Sequence, residues 1–257
     1  MPEAAGKGTR PEGTETETDA SRKVREMFTE IAPRYDFLNH LLSLEFDRAW
    51  RARTARRLRP ILERADARVL DLCCGTGDLA FALARSGPAR VIGADFSHAM
   101  VVRANTKSRA QTREVKAEVS PPVRFFEADA LRLPFADNSF DLITTAFGFR
   151  NLANYESGLR EIRRVLKAGG TLAILEFTEP APGLLGDLYR WYCRTVLPKI
   201  GGLLSGNPNA YKYLPASVAR FLRPEELASL MTQVGYGSVS YELWTFGSVA
   251  LHIGIKT

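Results

Sequence analysis

The chain has 257 residues, 45% hydrophobic and 25% charged, with 35 basic against 29 acidic side chains and a net charge of +6, enough to bury one full core in a single domain. It holds no run of about 18 apolar residues, and its N-terminal residues are acidic rather than apolar, so neither a spanning helix nor a secretory signal is expected and a cytoplasmic protein is. Cys73, Cys74 and Cys193 lack metal-ligand spacing, so neither a disulfide framework nor a structural metal is expected.

Residues 1–20 are rich in Gly, Thr, Glu and Pro and carry more acids than bases, the pattern of an unstructured tail ahead of one domain over 21–257. Val24, Met27, Phe28 and Ile31 then recur at helical spacing, Pro33 breaks the pattern, and a second helix is predicted around Asp47–Leu58. Six arginines stand between Arg48 and Arg59 with no acid among them. Such a run suits a solvated helix face, attraction to anionic lipid headgroups, or nucleic acid, although no interleaved aromatics favour RNA.

Beyond this helical preface, short apolar runs alternate with helical patterns: Arg68–Leu72 then Leu79–Arg85, Arg90–Ala94 then His98–Ser108, Val123–Phe126, Phe140–Ala146 then Ser157–Leu166, and Thr171–Phe177. Alternation of this kind predicts an α/β protein with a mostly parallel sheet and helices on both faces. Right-handed crossovers bring the C-terminal ends of the parallel strands to one rim, where ligands bind in such folds. An insertion over about 181–217, a helix at Pro224–Val234, and strands at Ser238–Thr245 and Ser248–Ile255 complete the chain.

Val69-Leu70-Asp71-Leu72-Cys73-Cys74-Gly75-Thr76-Gly77-Asp78 reads as a strand ending in a glycine turn that opens a helix. Glycines there let the backbone turn sharply and approach a ligand closely. Read as Gly75-x-Gly77-x-x-Ala80, the segment also fits a dinucleotide fingerprint. A pyrophosphate at a helix N-terminus is poorly served by adjacent acids, whereas Asp71 and Asp78 suit S-adenosylmethionine, which carries a sulfonium and an amino group. Asp95 ends the next apolar run and suits a bidentate hold on ribose hydroxyls. Asp129 ends the third run, placed for an adenine amino group with the Ala130 amide beside the ring. A helix cap is the alternative for any one of the three acids. The vicinal cysteines read as small packing residues.

Tyr35-Asp36-Phe37-Leu38-Asn39-His40-Leu41-Leu42-Ser43 with Trp50, Phe147-Gly148-Phe149-Arg150-Asn151, Arg164-Val165-Leu166-Lys167-Ala168-Gly169-Gly170, Leu175-Glu176-Phe177 and Leu197-Pro198-Lys199-Ile200-Gly201 carry a more specific likeness. Over about residues 22–257 the chain resembles the menaquinone/ubiquinone biosynthesis C-methyltransferase family. The resemblance implies a class I methyltransferase (Rossmann-like) fold with a seven-stranded sheet. It also implies methyl transfer from S-adenosylmethionine to a ring carbon of a prenylated quinol, demethylmenaquinol, with the ubiquinone-type benzoquinol precursor as a second acceptor to test. The implied cofactor positions are Thr76, Asp95, Asp129 and Ala130. The sequence departs from the family at Asp47, often His, at Leu38, often Met, and at Ala146, where some members offer a Ser to the cofactor. A backbone contact can survive at Ala146.

Carbon methylation requires an electron-rich ring, most easily reached by ionising a hydroxyl whose pKa lies near 10 in tyrosine. Arg150, just past the Phe140–Ala146 strand, is the candidate to hold the ring oxyanion directly or through water, and Asn151 to orient it. Tyr35 is placed to donate to the other ring oxygen, and Asp36 or Asp47 to accept a proton. The bland alternatives are an ion pair for Arg150, a helix cap for Asn151 and structural hydrogen bonds for the others. The insertion mixes apolar, aromatic and cationic residues, as a lid or interfacial anchor does, or a core helix with a subunit contact in a homo-oligomer. It opens the prospect of peripheral contact with the inner membrane surface. His40, His98 and His252 are scattered and read as surface or packing residues. Two rivals follow: another S-adenosylmethionine-dependent small-molecule or lipid methyltransferase, and a non-catalytic cofactor-binding or RNA-associated scaffold.

Overall fold

The computed structural model describes residues 7–34, 43, 45–114, 122–180, 183, 195, 213 and 216–257. Tyr35, Asp36, Leu38, His40, Cys193 and most of the insertion lie outside the described residues.

The helical preface comprises α1 (Glu17–Ile31), α2 (Phe46–Arg57) and the short α3 (Arg59–Leu62). The alternating core follows as β1 (Arg68–Leu72), α4 (Asp78–Ala84), β2 (Arg90–Asp95), α5 (His98–Glu114), β3 (Arg124–Glu127), β4 (Phe140–Ala146), α6 (Tyr155–Val165) and β5 (Leu166–Phe177). Helix α7 (Pro224–Val234) and the hairpin β6 (Tyr236–Trp244) and β7 (Val249–Lys256) close the chain. The seven strands form one sheet in the order β3-β2-β1-β4-β5-β7-β6. Strands β1 to β5 run parallel, and β7 is antiparallel to both β5 and β6. This is the mostly parallel seven-stranded architecture expected from the strand and helix alternation and the family resemblance.

Period-two alternation divides the apolar residues of each strand between two layers. Val69 and Leu142 face a layer that includes Leu62, Leu79, Phe81, Val101 and Phe125. Their neighbours Leu70 and Ile143 face Leu159, Ile162, Leu227 and Met231. Burying a side chain of this size contributes about 1.5–3 kcal/mol, and with both faces covered the sheet holds its strand ends in fixed register.

Most boundaries differ from the sequence reading by one or two residues, α5 runs on to Glu114, six residues past Ser108, and two further shifts have a plain cause. Helix α1 begins at Glu17 rather than near Ser21, because Thr16 caps it, its Oγ1 accepting from Asp19 N at 3.1 Å. The segment ahead of it, within the stretch expected to be a tail, is docked from Lys7 onward. Thr9 N donates to Leu152 O (2.8 Å) and Tyr155 N to Lys7 O (2.8 Å). Backbone bonds, with Arg10 Nη1 donating to Ala153 O (2.6 Å) and Thr9 bonding Tyr213 (2.9 Å), hold this segment without large apolar side chains. Strand β5 starts at Leu166, five residues early, because Gly169 and Gly170 form part of an irregular pairing between Phe140↔Leu166 and Leu142↔Thr171.

Candidate active site

The C-terminal ends of β1 to β5 share one rim, and the turn after β1 is its centre. Cys73, Gly75 and Gly77 all take positive φ there, at 54°, 54° and 92°. The turn is pinned to β2: Cys74 N donates to Ala94 O (3.1 Å) and Gly75 N to Asp95 Oδ2 (2.8 Å). A Cβ on Gly77 would fall 2.6 Å from the Phe125 ring, so this glycine is required for packing as well as for its backbone angle.

Two clefts flank the turn. The larger, about 640 Å³, is lined by Gly75, Asp95, Phe96, Asp129, Ala130, Asn151 and others, with Ser21 and Phe28 of α1 on its wall. The smaller, about 340 Å³, is lined by Arg51, Asp71, Cys74, Thr76, Asp78, Leu79 and Ala146. Cys73 and Phe147 line both. Of the sequence-chosen residues, Gly75, Asp95, Asp129, Ala130 and Asn151 therefore share one cleft, and Asp71, Thr76 and Ala146 the other. Gly77 lines neither.

Asp71 is almost fully buried at the end of β1. Thr144 Oγ1 donates to its Oδ1 (2.8 Å), while Oδ2 makes no full hydrogen bond, although the Ala80 backbone amide lies near enough to favour the ionised carboxylate. Burial pushes its carboxyl up to about 7. An unpaired buried oxygen is costly unless a donor arrives. Asp95 also lies in a buried position that raises its carboxyl to about 6, yet it accepts from Ser97 N (2.9 Å) and Gly75 N (2.8 Å). These bonds use one acceptor site on each oxygen and leave a second available to a ligand. Asp129 is exposed at the mouth, its Oδ1 held by Leu131 N (2.9 Å).

Asp78 was grouped with Asp71 in the sequence reading, but it is already neutralised, by Lys107 Nζ at 3.0 Å and Arg51 Nη1 at 3.4 Å. Lys107 also donates to Thr76 Oγ1 (2.9 Å). Burial raises the thiols of Cys73 and Cys74 well above their usual range, which keeps them protonated and makes them poor nucleophiles.

On the other side of the turn, Phe147 takes φ 58° directly after β4. Its ring meets Phe177 at 4.4 Å and Trp50 at 5.8 Å between centroids. Arg150 stands behind this aromatic wall and lines neither cleft. Its Nη1 donates to Glu176 Oε1 (2.6 Å) and to Phe147 O, and its guanidinium lies 5.3 Å from the Phe177 ring. Glu176 also accepts from the backbone amides of Arg150 (3.1 Å) and Phe177 (2.9 Å), which fixes the pair between β4 and β5. Asn151 reaches the cleft wall, and Tyr213 Oη donates to its Oδ1 (3.0 Å). The cap of α6 is Asn154, not Asn151.

Asp47 is buried and holds Arg51 and Ser43, the latter at 2.6 Å, so it is occupied as an ion-pair partner. The arginine run is interleaved with acids from elsewhere: Arg48 pairs with Glu45, Arg53 and Arg57 with Glu242, and Arg59 with Glu63. His98 pairs with Glu127 on the surface (3.0 Å). Burial lowers the pKa of His252 to about 4, against the opposing effect of its hydrogen bond with Pro224 O (2.9 Å).

The sequence reading missed Arg51, Lys107 and Glu176 as site residues. Its one usable signal for Arg51 was the i,i+4 spacing from Asp47.

The model of the ubiE/COQ5 methyltransferase family matches residues 16–256. A demethylmenaquinone methyltransferase of Thermus thermophilus is 52% identical over 229 residues, 89% of this chain and 99% of that protein. A demethylmenaquinone methyltransferase of Deinococcus radiodurans is 46% identical, covering 93% of this chain and 94% of the relative. The ubiquinone/menaquinone biosynthesis C-methyltransferase UbiE of Geotalea uraniireducens is 42% identical, covering 93% and 98%. Among solved structures, a SAM-dependent methyltransferase from Thermotoga maritima superposes with a TM-score of 0.60 at 20% identity over 90% of this chain and 99% of that one. The [4+2]-cyclase SpnF superposes at 0.58 and 20% identity over 80% of each chain. These structural likenesses establish the fold alone.

Proposed function

Because the chain belongs to the ubiE/COQ5 methyltransferase family, we infer that it is a class I enzyme transferring a methyl group from S-adenosylmethionine to a ring carbon of demethylmenaquinol. The observation that carries this reading is the 52% identity extending over 99% of a demethylmenaquinone methyltransferase. The ubiquinone-type benzoquinol is a second acceptor, favoured by the UbiE relatives.

The buried acids fit the cofactor. Asp71 Oδ2 is an orphaned carboxylate oxygen in a cleft, a suitable partner for the amino group, and Asp95 has acceptor capacity remaining for the ribose hydroxyls. Asp129 and the Ala130 backbone would hold the adenine, Thr76 and the Ala146 backbone the amino-acid end, and Gly75 gives the close backbone approach. When bound, S-adenosylmethionine supplies an electrophilic methyl group. What remains for the protein is to align the acceptor carbon and ionise the ring, and alignment alone is worth up to about 7–11 kcal/mol.

The aromatic wall of Phe147, Phe177 and Trp50 gives the quinol ring an apolar bed. Asn151 orients one ring oxygen, while Arg150, expected from the sequence to hold the oxyanion, is buried behind the wall and paired with Glu176, so its part is to position the Phe147–Asn151 turn. Tyr35 supplies the donor to the other oxygen.

A prenylated acceptor is drawn from the bilayer, so we extend the proposal to peripheral contact of a cytoplasmic protein with the inner membrane surface. Phe46 is 45% exposed and stacks on Trp50, and Trp50 Nε1 donates to Thr245 Oγ1 (2.8 Å), next to Phe246, which is 57% exposed. Exposed aromatics, with Arg48 and Arg53 nearby on α2 in surface pairs with Glu45 and Glu242, thus continue from the active-site wall to the surface. This mixture suits a headgroup boundary.

Mass spectrometry of quinones in a host lacking the protein tests the assignment. Demethylmenaquinone should accumulate and menaquinone disappear. An unchanged quinone profile would reject it.

A further inference from the structure

We propose that Arg51 is the anchor for the carboxylate at the amino-acid end of the cofactor, a reading that rests on the methyltransferase assignment above. Arg51 differs from the rest of its run. Its side chain is 10% exposed, against 65% for Arg48 and 56% for Arg57. Burying a guanidinium is costly unless it is paired and hydrogen-bonded, and a helix that merely needs a solvated face has no use for it.

The burial places Arg51 in the wall of the smaller cleft, together with Asp71, Thr76 and Asp78. Both of its ion pairs, to Asp47 and to Asp78 at 3.4 Å, use Nη1. Nε and Nη2 make no hydrogen bond among the described residues, so donors remain for a further acceptor.

An α-amino acid carries its ammonium and carboxylate on one carbon. If Asp71 Oδ2, the unpartnered acid in this cleft, takes the ammonium, the carboxylate must find a donor beside it. Arg51 is close enough to Asp71 to favour its ionised form and is the cation lining the cleft. A planar guanidinium with unused donors matches a carboxylate in geometry as well as in charge. Asp47, buried behind Arg51, then acts as a positioning residue that holds the guanidinium in place.

Two thioethers isolate the contact. S-Adenosylhomocysteine carries both amino-acid groups, and S-adenosyl-3-thiopropylamine keeps the amine but lacks the carboxylate. Their dissociation constants should be measured by calorimetry on wild-type protein, Arg51→Lys and Arg51→Gln, with 5′-methylthioadenosine as a control for an intact adenosine site. The wild type should prefer the carboxylate-bearing ligand by ten-fold or more, Arg51→Lys should keep part of that preference, and Arg51→Gln should lose it while binding 5′-methylthioadenosine normally. Should the unpaired Asp47 prevent folding, Asp47→Asn combined with Arg51→Gln removes the buried charge and permits the same comparison. A preference unchanged in Arg51→Gln, or in that double variant, overturns the proposal. Failure of wild-type protein to bind S-adenosylhomocysteine at all would instead overturn the methyltransferase reading beneath it.

Discussion

Replacing Asp71 with Asn should stabilise the cofactor-free protein at alkaline pH while weakening its hold on the cofactor. The carboxyl is raised from 3.8 to about 7 by burial. About three pK units at about 1.36 kcal/mol each give about 4 kcal/mol of stability, which is fully present below pH 3.8 and lost as the pH rises through 7. Asn carries no charge and can keep a hydrogen bond to Thr144, but its second polar atom stays unpaired at a cost of about 1–3 kcal/mol. The net gain expected at about pH 8 is about 1–3 kcal/mol, or about 2–4 °C in melting temperature per kcal/mol for a chain of this size. Near pH 4, where the native carboxyl is neutral, the gain should vanish. Urea denaturation of both proteins at the two pH values measures it. Calorimetry should at the same time show S-adenosylhomocysteine bound about 10–100-fold more weakly, the loss of one charge-assisted hydrogen bond. A variant that is less stable than wild type at about pH 8, or that binds the cofactor product unchanged, would refute the role given to Oδ2.

Glu176→Gln should destabilise the protein by about 3 kcal/mol, because it leaves Arg150 charged and buried without its partner; denaturant midpoints check this, and methyl transfer should fall further than the loss of folded protein explains. Phe46→Ser combined with Phe246→Ser should reduce sedimentation with anionic vesicles and raise KM for a long-chain prenylated quinol, leaving KM for a short-chain analogue unchanged. Equal effects on both acceptors would remove the membrane role from these rings. His252 should oppose the gain that Asp71 brings on acidification: its pKa is lowered to about 4, the unfolded chain binds its proton more readily, and its own contribution falls as the pH drops from about 6.5 toward 4. His252→Gln should therefore steepen the rise in stability across that window, read from urea midpoints.

The alternating core was legible because its strands are short apolar runs ended by acids and turns: β4 and α7 have the boundaries read from sequence, and β1 does as well. Once the strands are parallel, Asp71, Asp95 and Asp129 must arrive at one rim, so much of the cofactor constellation could be read locally. Arg51 could not. Its burial follows from α2 packing beside the glycine turn and the C-terminal hairpin, where Arg53 lies over Trp244 at 4.4 Å and Trp50 bonds Thr245, contacts that span almost 200 residues. The pairing of Arg150 with Glu176, 26 residues away, likewise depends on β4 lying next to β5. The docked Lys7–Thr16 segment was hidden for a different reason: its attachment is made by backbone amides and carbonyls and by the polar side chains of Thr9 and Arg10, which a count of large apolar residues does not record.

The most direct measurement is methyl transfer by the purified chain from methyl-deuterated S-adenosylmethionine to reduced demethylmenaquinone, with the product's labelled position fixed by NMR. The expected result is one labelled methyl on a ring carbon, formed in step with S-adenosylhomocysteine and lost in Asp95→Asn. Labelling on a ring oxygen, or no transfer from a protein that binds the cofactor, would contradict it.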